Sequence, residues 1–312
     1  MFDAQHLELW AVFWAIVIVL LGLDLAVFNR RAHAVSIKEA GAWSIVWVAL
    51  SLLFGAGIWW LLGQQQALEY FTGYVIEKSL SIDNLFVFLI IFRFFKVEPR
   101  YQHRVLFWGV FGAIVLRTIM IIAGAALVAR FDWLLYIFGA FLVYTGIKLA
   151  FDHGPGVDPE NNIAVKLAKR FFPITHEFHG QKFFIKEHGK WLATPMLIVL
   201  VTIEFSDVIF AVDSIPAVFG ITQDAFIIMT SNIFAILGLR ALYFLLAGVM
   251  DRFHYLQLGL SAVLTFIGVK MLLAIWGLHI ATEYSLGVVF AVLFLAIVAS
   301  YFRKPASKDP GA

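Results

Sequence analysis

The chain has 312 residues, 62% of them hydrophobic and 14% charged, with 32 Phe, 10 Trp, no Cys and a formal net charge of +2. Soluble domains carry about 25% charged residues, so an ordinary soluble enzyme and a basic nucleic-acid binder are both excluded. Without cysteine there are no disulfides, thiolate metal sites or iron–sulfur clusters.

Apolar stretches of about 20 residues, the length a helix needs to cross a bilayer, recur throughout. The fold class expected is an all-α polytopic membrane protein in a lipid bilayer, a single integral membrane domain over 1–312. About nine spans are expected, near 8–28, 40–62, 67–92, 104–128, 132–151, 193–218, 224–247, 256–276 and 283–302. The start, Met1 to Trp10, carries Asp3 and Glu8 and no Lys or Arg, so the first span reads as a retained helix rather than a cleaved signal. Asp24 within it has no evident partner. Between spans the charge alternates. One side collects 17 Lys and Arg, from Arg30 and Arg31 through Lys182, Lys186 and Lys190 to Lys308, and the other only Arg130. The positive-inside rule makes the basic side cytoplasmic, with the N-terminus outside and the C-terminus inside. The one long loop, 152–192, opens on a turn-rich stretch and carries His176 and His179. That pair reads as solvated histidines, because third and fourth metal ligands at convincing spacing are missing.

Two acidic runs interrupt the apolar pattern: Glu77-Lys78-Ser79-Leu80-Ser81-Ile82-Asp83-Asn84 in span three, and Glu204 through Asp207 to Asp213-Ser214 in span six. Five carboxylates at membrane depth would cost about 12–18 kcal/mol uncompensated. Glu204 and Asp207 share a helix face. Asp213 is about 240° further round a regular helix, so a kink at Pro216, which cannot donate to the Val212 carbonyl, is expected to turn it toward the same cavity. Glu77, Ser81 and Asn84 share a face of span three, with Asp83 beside it. The donors are carboxylate, amide and hydroxyl oxygens, the set that suits magnesium, calcium or manganese. Repulsion among crowded acids is relieved by a cation or by protons, which gives a route to metal/proton exchange. Alternatively Arg117 and Arg240 neutralise two of the acids as structural ion pairs.

The runs also belong to an internal repeat of three spans. Gly139 to Lys148 parallels Ser261 to Lys270, and Phe111 to Arg117 parallels Phe234 to Arg240. Ile82-Asp83-Asn84-Leu85 parallels Val212-Asp213-Ser214-Ile215, which sets Glu77 opposite Asp207; a shifted register sets Asp83 opposite Asp207 instead. On the expected topology the units, 67–151 and 193–276, point in opposite directions. Such inverted repeats are typical of secondary transporters with a midplane site.

Ile76 to Asn84 and Glu204 to Ala217 resemble the two signature runs of the TerC family of integral membrane proteins, and Gly112 to Met120 and Thr230 to Arg240 resemble its Alx-like branch. The resemblance implies a nine-helix bacterial inner-membrane protein, related in fold to the LysE transporter superfamily. It implies efflux of a divalent metal, manganese first, as transported substrate with no permanently bound cofactor. By position it marks Glu77, Asp83, Glu204, Asp207 and Asp213 as the functional acids, with Asn84 and Ser214 as polar neighbours. Two other classes stand beside it. An intramembrane aspartyl protease needs two Asp sharing a proton, but the Gly-x-Gly-Asp context is missing, so no enzyme activity is expected. A membrane scaffold or stress sensor working through the 152–192 loop is the alternative to transport.

Overall fold

The computed structural model describes residues 4–28, 36–131, 133–151, 175, 178–187, 190–247, 255–278 and 280–302. In chain order these form α1 (Ala4–Phe28), α2 (Ile37–Leu62), α3 (Gln64–Phe94), α4 (Pro99–Arg130) and α5 (Leu134–Phe151). A two-stranded hairpin follows, β1 (Phe184–Glu187) and β2 (Lys190–Ala193). Then come α6 (Pro195–Phe219), α7 (Ala225–Leu237), α8 (Leu239–Leu246), α9 (Leu256–Leu273), a 3-10 turn (Ala274–Trp276) and α10 (Thr282–Phe302). Residues 152–174, with His176, lie outside the described residues.

Six of these helices are long and apolar enough to cross a membrane, seven if α7 and α8 make one span. The described part of α1 contributes a shorter apolar core, Leu7–Leu23. The 31 residues of α3 reach about 46 Å, well beyond the roughly 30 Å hydrocarbon layer. A single residue, Gly63, joins α2 to α3 at φ 107°, a backbone state that only glycine takes without strain.

Every residue of α7 from Phe226 to Leu237 is buried. A helix apolar on all sides belongs in the middle of a bundle. Around it pack α3, α4, α2 and α1, with Phe54 and Phe234 rings 4.5 Å apart and Trp10 edge-on to Phe226 at 5.2 Å. Large side chains such as Trp60, Ile45, Phe290 and Phe294 are exposed on the outer helices, as a lipid-facing surface requires.

A second cluster joins α5, α9 and α10. Here α5 and α9 approach most closely, through glycines. A Cβ on Gly146 would lie 2.8 Å from the Thr265 nitrogen and 2.9 Å from the Ser261 oxygen. A Cβ on Gly268 would lie 2.8 Å from the Val143 nitrogen and 2.6 Å from the Gly139 oxygen. Such close approach needs small residues. Ser261 Oγ also donates to the Gly146 carbonyl at 2.6 Å.

The kink expected at Pro216 does not interrupt the helix: α6 is helical to Phe219. Pro216 lies one turn from the helix end, so little more than the bond to Val212 is lost. The last turn is held by Gly220 N–H on the Pro216 carbonyl and by burial from Ser214 to Phe219. The break falls instead in the neighbouring span, where α7 and α8 meet at Gly238 with a 42° bend. Lys78 Nζ donates to the Ala235 carbonyl there at 3.1 Å, a cation at a helix C-terminus. A Cβ at Gly238 would meet Lys78 Nζ at 2.9 Å and Trp47 at 3.0 Å. The end of the 152–192 loop forms the β1–β2 hairpin, in which Phe184 pairs with Ala193 and Glu187 with Lys190. Thr194 then leads into α6, its N–H on the Phe183 carbonyl and its hydroxyl on that of Lys182 at 2.6 Å.

Candidate functional site

Helices α4 and α6 run side by side in the same direction, with Gly109 against Ile203, Gly112 against Glu204 and Gly124 against Phe219. This register brings Arg117 of α4 level with Asp207 of α6, and α3 closes the third side with Glu77. Arg117 and Glu77 are 0% exposed and Asp207 is 2% exposed. Arg117 grips Asp207 with a two-pronged fork, Nε to Oδ2 at 3.0 Å and Nη2 to Oδ1 at 2.9 Å. Its Nη1 donates to Glu77 Oε1 in a short ion pair, and has longer contacts at 3.4 Å with Ser214 Oγ and Asn232 Oδ1. Asn232 Nδ2 from α7 donates to the other Glu77 oxygen at 2.8 Å. Four helices thus supply one buried centre of two carboxylates, one amide, one hydroxyl and one guanidinium.

Arginine suits this place because its planar fork stays charged and matches a carboxylate with two parallel bonds. Removing either partner from such a buried pair leaves an uncompensated charge, at about 3–5 kcal/mol. The centre is therefore tightly tied in the state seen.

The other expected residues divide. Ser214 joins the centre, and Asn84 is buried on the Glu77 face of α3. Ser81 on the same face has a fully buried hydroxyl without a hydrogen-bond partner among the described residues. Glu204 lies one turn before Asp207, its carboxylate over Gly112 and its buried Oε2 likewise without a partner among them. Asp213 does not join them: it faces Thr145 and Lys148 of α5. Arg240 is buried at the start of α8. The side chains of Asp83 and Asp24 lie outside the described set. Among the described residues no three His, Asp or Glu converge closely enough to hold a metal ion.

Asn232 and the Lys78–Ala235 contact were not assigned from sequence. The polar run Thr230-Ser231-Asn232 inside an otherwise apolar span was the available signal for Asn232.

Comparison with known proteins places these features. The model of the integral membrane protein TerC family matches residues 62–308, which contain every residue of the centre. An uncharacterised membrane protein of Myxococcus xanthus is 52% identical over 95% of this chain and 92% of its own. Proteins named "Putative membrane-bound redox modulator Alx" are 51% identical in Salmonella typhi and 50% in Escherichia coli K12, each over 93% of this chain and 92% and 93% of their own. No solved structure matches.

Proposed function

The chain belongs to the TerC family of integral membrane proteins, and on that premise we propose that it is a secondary transporter exporting a divalent cation, manganese first, from the cytoplasm. One observation carries the reading: Glu77 and Asp207, from two different acid-bearing helices, converge on a single buried cation. The protein holds a positive charge between two carboxylates near the middle of α3, α4 and α6, and transporters place their substrate near the bilayer midplane. Around that position every other nearby donor is an oxygen or an amide, from Ser214, Asn232, Asn84 and Ser81. Such ligands accept manganese and reject soft metals.

The nine-span topology counts α1 and α3 as spans and α7–α8 as one broken span. It keeps the N-terminus outside and the membrane as the bacterial inner one. The inverted repeat gains support from the α5–α9 contacts. Gly146 meets Ser261 and Thr265 as Gly268 meets Gly139 and Val143, and the repeat exchanges those two sets. The Arg117 bridge favours the register with Glu77 opposite Asp207. A broken helix beside the site is also a transporter feature. The relatives' name invokes redox modulation. This chain has no cysteine for thiol chemistry, so any redox effect would be indirect, through the ion it moves.

The test is manganese flux in vesicles containing purified protein. Wild type transports, while Glu77→Gln and Asp207→Asn do not. A flux untouched by both substitutions rejects the site. The Arg117 bridge also favours a second reading, a membrane scaffold whose buried acids are merely neutralised; absent flux with intact folding selects it. A pH change opposite to the metal flux would identify protons as the exchanged ion.

A further inference from the structure

Resting on that cation-site reading, we propose that Arg117 is a tethered competitor of the transported ion, its guanidinium and a divalent metal occupying the gap between Glu77 and Asp207 in turn. All four oxygens of the two carboxylates already accept a hydrogen bond, three from Arg117 and one from Asn232. The ligands a metal would use are the ligands Arg117 uses. A divalent ion on those oxygens would stand within a few ångströms of the guanidinium, and like charges so close in a poorly screened interior exclude one another. Occupancy is therefore exclusive.

Exclusivity has a use. A carrier that releases its ion would leave two bare acids in a dry interior, a state that resists any further movement. Returning the guanidinium neutralises them without a proton. The structure also offers it somewhere to go. Glu204, a turn nearer the start of α6, has a buried oxygen with no partner among the described residues, and it sits over Gly112, which precedes Arg117 on α4. Helical side chains lean toward the helix N-terminus, which is the direction from Arg117 to Gly112 and Glu204. Glycine at 112 leaves the room that the Glu204 carboxylate fills.

The test is equilibrium binding of manganese chloride to the purified full chain in detergent, by calorimetry, with no flux required. Wild type binds weakly through Glu77 and Asp207, and binding is lost in Glu77→Gln and in Asp207→Asn. Arg117→Gln binds at least about tenfold more tightly than wild type. Should Arg117→Gln not yield folded protein, Arg117→Lys decides instead, since a lysine keeps the charge but loses the fork and binds metal more tightly than wild type. Unchanged or weaker binding by the deciding variant, beside a wild type that binds through both acids, overturns the competitor role and leaves the transport site standing. No binding by any protein overturns both.

Discussion

Gly146→Ala is the sharpest probe of the α5–α9 contact. Its added methyl would lie 2.8 Å from the Thr265 nitrogen and 2.9 Å from the Ser261 oxygen, both backbone atoms that cannot rotate away. Restoring ordinary contact requires the helices to part by roughly half an ångström, which forfeits dispersion along the seam. Overpacking of this kind costs about 1–3 kcal/mol. The Ser261 Oγ bond to the Gly146 carbonyl stretches with it, adding about 0.5–1.5 kcal/mol. Gly268→Ala meets the Gly139 oxygen and the Val143 nitrogen and costs about 1–3 kcal/mol. For a chain of this size each kcal/mol lowers the midpoint by about 1.5 °C, so Gly146→Ala should fall by roughly 2–7 °C. The assay is thermal unfolding of purified protein in detergent, followed by tryptophan fluorescence. The double variant should cost less than the two singles together, because one separation relieves both clashes. A midpoint for Gly146→Ala indistinguishable from wild type, or strict additivity in the double, refutes the shared-seam reasoning.

Other outcomes follow from the site. Asp213→Asn should leave manganese binding close to wild type while Asp207→Asn abolishes it, since only Asp207 meets Arg117; equal losses in calorimetry would contradict the placement of Asp213. Asp207→Asn should lower stability by about 3–5 kcal/mol, and adding Arg117→Gln should recover part of it in the same melting assay; no recovery would mean the pair is not coupled. Lys78→Met removes the donor to the Ala235 carbonyl and should cost about 1–3 kcal/mol, read as faster amide exchange at Ala235–Arg240; unaltered exchange would deny the lysine its role at the break.

Much of this was legible in sequence because a bilayer is a severe filter. Each apolar run of sufficient length had to become a helix, and Glu77 and Asp207 had to find a cation. Arg117 was a candidate partner on charge alone. The side on which Asp213 lies was not legible because a proline's effect depends on its place in the helix: three residues before the end of α6, Pro216 costs about one bond, and packing of Ser214 to Phe219 outweighs that. The break at Gly238 was hidden because its cause is not local. It depends on Lys78, about 160 positions away in sequence yet in contact, and no periodicity in one span reports such a contact. Asn232 went unassigned because a buried amide is chosen by its partner, and that partner lies on another helix.

Glu77 and Lys78 are consecutive, so they project about 100° apart from the same turn of α3. One grips Arg117 and the other grips the Ala235 carbonyl at the mouth of the break. One turn of α3 thus ties the charge centre and the joint of the broken span together, so a displacement of that turn that parted Glu77 from Arg117 would also strain the lysine's hold on Ala235.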